Sequence, residues 1–370
     1  MTTVAASAAS DALAAQVTAL RTGAGAFHLP RDVFSARGED ALTYLQGQLS
    51  QDIAALAVGA SADSLLLQPD GKVTALLRVT RVDEQGFVLD TDAGFGDAMV
   101  ARLKKFLLRS KLEFERLPWR TIALRGAAVD GPSAGLRAAV AEAGAGALVV
   151  PFEWNGWSGF DLLGPKDVIP DPVAAPGSLP EGITACERDA AESCRIVSGI
   201  PAMGSELTDK TIPAEAGVVE RSVSFTKGCY TGQELVARLD ARGNNVPRRL
   251  VGVVGGSDPE GDRLAFGMTL HAPAPVAAAA AAAPPAPGDS PEPCDVPEVV
   301  TDKVVGTVTS AAWSPELGAW VALAYLHRTV DAPGPIRVRS GDGLGVAHPA
   351  RVTLLPMVTG PPIAVPGNSA

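Results

Sequence analysis

Leu42, Leu45, Leu49 and Ile53 recur at spacings of three and four through an otherwise polar stretch, which predicts one buried face of a helix. Gly59 ends that region, and three strand candidates follow at Ser64–Gln68, Val73–Val79 and Phe87–Asp90. The turn Pro69-Asp70-Gly71-Lys72 joins the first two, and Asp-Gly suits a tight hairpin. Asp97 is placed to cap a second helix carrying Val100, Leu103 and Leu107. Lys111–Glu115 then alternates, with Leu112 and Phe114 on one face, as a strand does. Helix, strands, helix, strand predicts an α+β fold with mainly antiparallel pairing.

Further strands are expected at Thr121–Leu124, Ala147–Phe152 and Phe160–Leu163, with a helix over Ser133–Ala143. Pro170–Pro180 is a Pro/Ala/Gly connection, and Cys186–Val197 reads as a helix with Ala190, Cys194 and Val197 along one side. Short strands at 250–255, Val304–Val308, Val321–Ala324 and Ile336–Val338 outline a small all-β unit. It is interrupted over 272–302 by an Ala/Pro-rich acidic insertion, expected to be disordered and holding Cys294. Residues 1–26 are expected to be a disordered leader and 358–370 a disordered tail.

Composition narrows the picture. The chain of 370 residues is long enough for two or three domains. Only 5% of it is aromatic, so its core must rest on Leu, Val and Ile. A formal charge of -10 gives no broad basic surface for nucleic acid. Cys186, Cys194, Cys229 and Cys294 form no C-x-x-C pair, which fits reduced thiols and a cytoplasmic protein. Val276–Ala283, the most continuous apolar run, is too short to span a bilayer, and Met1–Val17 lacks the basic start of a signal peptide. His28, His271, His327 and His348 are scattered without ligand spacing, so no metal site is expected.

The stretch Phe225–Arg238 carries the chemistry. Leu235, Val236 and Leu239 form an apolar stripe, so a helix is expected from about Gly232 to Arg242, with Gly243 at its stop. Thr231 and Glu234 fit a capping box. Cys229 then sits at the positive end of the helix dipole, two residues from Lys227, and both features favour a thiolate. Gly228 is read as a point of close backbone approach or positive φ. The bland alternatives are a packed thiol, a solvated Gln233, a packing Tyr230, and an Arg238 that only pairs with Glu234 one turn away.

Lys227-Gly228-Cys229-Tyr230-Thr231-Gly232-Gln233-Glu234 resembles the signature of the YgfZ-type folate-binding family, which is similar to the T-protein of the glycine cleavage system. Leu45–Asp52, Gln68–Val73, Ile212–Gly217 and Gly306–Ser310 resemble other family segments in the same order, so the resemblance spans roughly 27–357 without the insertion. It implies three domains in a ring around a central folate-binding channel: a region 27–245 in two subdomains, 27–118 and 119–245, free to interleave, and a C-terminal β-barrel over 246–357. It further implies tetrahydrofolate or a folate derivative as cofactor. The implied role is support of iron–sulfur cluster assembly or repair in transient client or assembly proteins, reaching tRNA modification indirectly, with no direct nucleic-acid or membrane partner. Cys229 and Lys227 would be the catalytic pair, supported by Gly228, Tyr230, Thr231, Gly232, Gln233, Glu234 and Arg238.

Two departures separate the chain from the T-protein. Thr74 and Ala75 stand where that enzyme has acidic residues after its first hairpin, and neither serves as a carboxylate base. In Gly156-Trp157-Ser158-Gly159, Trp157 stands where a glutamate grips the pterin. Aminomethyl transfer, or another folate-dependent one-carbon transfer, is therefore the alternative reading. Phe34, Trp157 and Asp161 are the candidate cofactor contacts, Asp161 facing either the channel or water. Arg238, Arg242, Arg248 and Arg249 form a basic cluster, read as a solvated face or as a trap for a folate glutamate tail.

Overall fold

The computed structural model describes residues 2–273, 300–340 and 347–358. Cys294, most of the insertion and the tail from 359 lie outside these residues. The chain opens with α1 (Thr2–Arg21), β1 (Gly25–His28), β2 (Arg31–Arg37), α2 (Ala41–Gln48) and β3 (Ser61–Leu67). Next come β4 (Val73–Arg81), β5 (Gly86–Asp92), α3 (Gly96–Lys104), β6 (Glu113–Leu117), β7 (Arg120–Arg125) and α4 (Asp130–Glu142). β8 (Leu148–Trp154), β9 (Trp157–Gly164), β10 (Thr184–Ala185), α5 (Arg188–Val197), α6 (Val219–Ser222) and α7 (Gln233–Asp240) complete the α+β part. The last stretch is β11 (Arg248–Gly255), β12 (Thr269–Pro273), β13 (Val300–Ser314), β14 (Ala319–His327), β15 (Gly334–Arg339) and β16 (His348–Thr353).

The architecture is α+β, with a C-terminal barrel. One five-stranded sheet has the order β3-β4-β5-β2-β6, a second has β10-β1-β7-β9-β8, and β11-β14-β13-β12-β15-β16 close a six-stranded barrel. Among the described residues every pairing between these strands is antiparallel except β1 with β10. The first sheet buries Ala75, Leu77, Val79, Phe87 and Leu89 against Leu45 of α2, Leu49 just past its end, and Met99 and Leu103 of α3. Leu45, Leu49 and Leu103 are periodic positions read from the sequence. β1 precedes the first sheet in the chain yet pairs with β7 in the second, so the two sheets are interleaved.

The disordered leader is corrected. Residues 2–21 form α1, and Val17 and Leu20 are buried beside Phe27, Ala190 and Cys194, with Leu13 packed against them. Leu13, Val17 and Leu20 repeat at four and three, a helical face diluted by the surrounding alanines. The hydroxyl of Tyr325 on β14 donates to the carbonyl of Glu206, one of several bonds tying the barrel to the rest of the molecule.

Candidate functional site

Two segments of the resemblance, Leu45–Asp52 and Gln68–Val73, meet around the cysteine motif. The Lys227 Nζ donates to the carbonyls of Gln46 and Leu49, each at 2.6 Å, and of Gln51 at 3.0 Å. These carbonyls end α2, where a cation complements the helix dipole. The Thr231 amide donates to the Gly47 carbonyl at 3.3 Å. Gly232 adopts φ 84°, and a Cβ there would stand 2.5 Å from the Gln68 carbonyl oxygen of the β3–β4 hairpin. Gly71 on that hairpin faces Leu235 just as closely. Tyr230 is buried in a cluster with Leu65, Leu67, Val73 and Val236, which anchors the loop from below. Cys229 rides on this cradle as an exposed, free thiol.

Several local expectations change. Thr231 and Glu234 do not form a capping box. The N-cap is Gly232 in the left-handed region, with no side-chain cap, and Gln233 Oε1 instead accepts from the Tyr230 amide at 3.1 Å. Gly228 has open space where a Cβ would stand, so the glycine requirement falls on Gly232 and Gly71. Lys227 is committed to the end of α2 rather than placed as the cysteine's charge partner. Burial pushes its pKa down to about 8, with Asp52 acting in the opposite direction. Glu234 and Arg238 face solvent.

A cavity of about 490 Å³ lies between the two sheets and α5. None of residues 227–238 lines it, so the exposed thiol and the cavity are separate features. Trp157 and Asp161 line it; Phe34 does not. Phe34 is instead buried in the core of the first sheet, under the guanidinium of Arg116 at 4.6 Å. Trp157 is itself buried, stacked on Phe27 at 6.0 Å, with its indole N–H donating to the Leu20 carbonyl at 2.9 Å. Phe152 meets Trp157 edge-on, and the guanidinium of Arg125 lies 3.6 Å from the Phe152 ring centre. The cavity wall thus pairs aromatic faces with a cation.

Asp161 faces the cavity but is pinned. Its two oxygens accept from Arg125 at 2.7 Å and from Arg78 at 2.6 Å. Burial acts to raise its pKa, and the two guanidinium groups outweigh that, holding it below the ordinary carboxylate range. Arg78 also donates to Asp90, which accepts from Arg31, and Arg31 reaches Asp92. This chain of charges runs from the first sheet to the second. Sequence reading missed these arginines because strand alternation marks a residue's face but not which buried residue is charged. The one local signal is that Arg78 interrupts an apolar run in β4 and Arg125 ends one in β7.

The residues of β4 that line the cavity are Leu76, Leu77 and Arg78. Neither Thr74 nor Ala75 does, so the chain presents no carboxylate from this strand. The arginine cluster of the sequence also disperses. Arg248 pairs with Glu215 at 3.1 Å and lines a different cavity beside the barrel, Arg249 donates to the Val330 carbonyl, and Arg238 and Arg242 are exposed. Among the described residues no group of three or more His, Cys, Asp or Glu side chains is arranged to hold a metal. No helix among them is long and apolar enough to cross a membrane.

Comparison with known proteins places this geometry. Residues 292–358 match the glycine cleavage T-protein C-terminal barrel domain. Over 362 residues the chain is 29% identical to an aminomethyltransferase of Streptomyces avermitilis, covering 91% of this chain and 87% of the relative. It is 27% identical over 215 residues to an uncharacterised protein of Haemophilus influenzae, covering 58% of this chain and 67% of that protein. The crystal structure of the glycine cleavage system aminomethyltransferase T from Bartonella henselae superposes with a TM-score of 0.73 at 20% identity, over 94% of this chain and 90% of that one. The fold is that of the T-protein aminomethyltransferases, and the likeness in sequence runs along nearly the whole chain.

Proposed function

We propose that this is a folate-binding protein of T-protein fold whose cavity holds tetrahydrofolate or a folate derivative. Its exposed Cys229 would serve, as a thiolate, the assembly or repair of iron–sulfur clusters in client proteins. Through those clients it would reach tRNA modification. The observation that carries the binding half is the cavity. Its volume of about 490 Å³ falls in the range of small-molecule sites, roughly 300–1,000 Å³. Phe27, Phe152 and Trp157 line it together with arginines, whose side chains suit carbonyl and carboxylate oxygens. These residues fit a flat, acceptor-bearing molecule such as a folate. When bound, the folate would supply a carrier for one-carbon units; the chain's own part is to orient it and exclude water. The iron–sulfur half rests on the resemblance of Lys227–Glu234 and on the thiol's exposure on a rigid cradle. One cysteine cannot hold a cluster alone, so any contact is shared with a partner.

Aminomethyl transfer is the second reading, favoured by the likeness to aminomethyltransferases along the chain. Against it stands the wall: Asp63, Asp92, Asp161 and Glu192 are each tied to an arginine, and β4 contributes Leu76, Leu77 and Arg78, none a carboxylate. Anaerobic titration with tetrahydrofolate, followed by a turnover assay with a methylamine-bearing donor protein, separates the readings. Binding without turnover is expected. Turnover at an ordinary enzymatic rate would establish the second reading, and absence of binding would defeat both.

A further inference from the structure

The chain is acidic overall, with a formal charge of -10, yet residues 98–112 hold Arg102, Lys104, Lys105, Arg109 and Lys111 and no carboxylate. They run along α3 and into the segment that follows it. Lys111 pairs with Glu39. Lys104, Lys105 and Arg109 are exposed and have no carboxylate within ion-pair distance among the described residues. Arg102 has none either: its guanidinium donates to the Gln48 side chain and the Leu67 carbonyl. Within this cationic stretch Leu108 is 89% exposed and Phe106 42%. Lone exposed apolar side chains are ordinary on a protein surface. Two on one bend, flanked by unpaired cations, have the anatomy of an interface, an apolar centre with a charged rim.

The patch adjoins the cysteine motif. The Arg102 guanidinium lies 4.5 Å from the Phe106 ring centre, and its Nη1 reaches Gln48 Oε1 at 3.3 Å, the same oxygen that the Thr231 hydroxyl approaches at 3.5 Å. Thr231 is two residues from the exposed Cys229, so one side chain of α2 joins the patch to the loop that carries the thiol.

We propose that this patch docks a partner protein presenting an acidic face with an apolar centre, with Leu108 and Phe106 as anchors and Lys104, Lys105 and Arg109 as the rim, and that docking brings the partner to Cys229. That destination rests on the reading of Cys229 given above; the surface does not. Unpaired cations select carboxylates. The most exposed anchor is aliphatic and cannot stack on a base, and Arg102 covers one face of Phe106, which tells against single-stranded nucleic acid. Three exposed unpaired cations fall short of the roughly four to eight that mark a site for anionic lipid, and the net negative charge of the chain opposes a bilayer of that sign.

Fluorescence anisotropy of the full chain with an amphipathic peptide of Glu and Leu tests the surface. Its Gln-for-Glu counterpart, a single-stranded RNA and vesicles of phosphatidylcholine with phosphatidylglycerol are the other arms. The acidic peptide is expected to bind about ten-fold or more tighter than the Gln peptide and to weaken as salt rises. The double variant Lys104→Glu, Lys105→Glu is expected to lose about ten-fold or more, and Leu108→Ser about five-fold or more. Leu108→Ser, at an exposed position, serves alone if the double variant does not melt cooperatively. With a bromoacetyl group at its end, the acidic peptide is expected to alkylate Cys229 about ten-fold faster than the Gln peptide, since docking raises its local concentration. No binding of the acidic peptide, equal affinity for both peptides, binding unchanged by the variants, or preference for RNA or vesicles would overturn the inference. Equal alkylation rates would overturn the delivery to Cys229. Peptide binding as expected, with a wild type that does not support iron–sulfur enzymes in cells, would keep the surface and remove the iron–sulfur reading. Support by wild type and double variant alike would keep that reading and remove the surface.

Discussion

At the scale of single residues, the cysteine motif divides into groups that build the cradle and one that the cradle displays. Gly232 is required twice over, by its φ of 84° and by the 2.5 Å approach of the Gln68 carbonyl to any added Cβ. Gly232→Ala is therefore expected to lose about 2 kcal/mol or more in urea denaturation. Gly228→Ala meets open space and is expected to stay within about 1 kcal/mol of the parent. Equal losses at both positions would show that the loop is not seated on the hairpin as described. The sequence marked this motif by its unusual run of residues, yet assigned the glycine roles to the wrong member. Backbone clashes depend on what lies across the fold, here Gln68 and Leu67, and local spacing carries no record of that.

At the scale of elements, helix ends are held from a distance. Lys227 closes the end of α2 from almost two hundred residues downstream. Lys227→Met removes three bonds from a charged donor and is expected to cost about 2–3 kcal/mol, read by thermal or urea melts. The start of α3 is held by Asp32 on β2, whose carboxylate accepts from the amides of Gly94 and Gly96, each at 2.9 Å, and from Arg116. Burial acts upward on its pKa, but the Gly96 amide, Arg116 and the Gly94 amide bring it below the usual value of 3.8. The stabilisation is present above that value and is lost as pH falls through the lower folded pKa. Asp32→Asn is expected to cost about 1 kcal/mol at pH 7, with the gap to the parent closing below pH 3.8. A gap that is constant with pH would contradict this. The helices and strands themselves were largely legible, because Leu45, Leu49, Leu77, Val79 and Leu89 repeat with the periods their elements demand. Their caps were not: Asp97 was the expected cap of α3, and the carboxylate that holds the helix start comes from another strand.

At the scale of the whole molecule, buried charge joins what hydrophobic periodicity keeps apart. Arg78 bridges Asp90 in the first sheet to Asp161 in the second, around the cavity wall. Glu206, fully buried, accepts from Thr309 and Ser310 on the barrel and from Arg195 on α5. Glu206→Ala leaves Arg195 without this partner and both hydroxyls without an acceptor carboxylate, and is expected to cost about 3–5 kcal/mol. Calorimetry reads the loss; a change under about 1 kcal/mol would mean the barrel is held by its apolar contacts alone. No pattern along the chain announces such networks, since each member is a lone polar residue in an apolar stretch. The resemblance in Gly306–Ser310 pointed to the segment without saying that its hydroxyls clasp Glu206. Cys229, singled out in the sequence, is exposed and stands outside the cavity. A role of that thiol in iron–sulfur maintenance is tested most directly by complementation. Wild type and Cys229→Ala are expressed in a host lacking its own protein of this kind, and an iron–sulfur-dependent tRNA thiolation is quantified. Restoration by wild type and loss with Cys229→Ala at equal protein level is the expected result; full restoration by the alanine variant, or none by wild type, would contradict it.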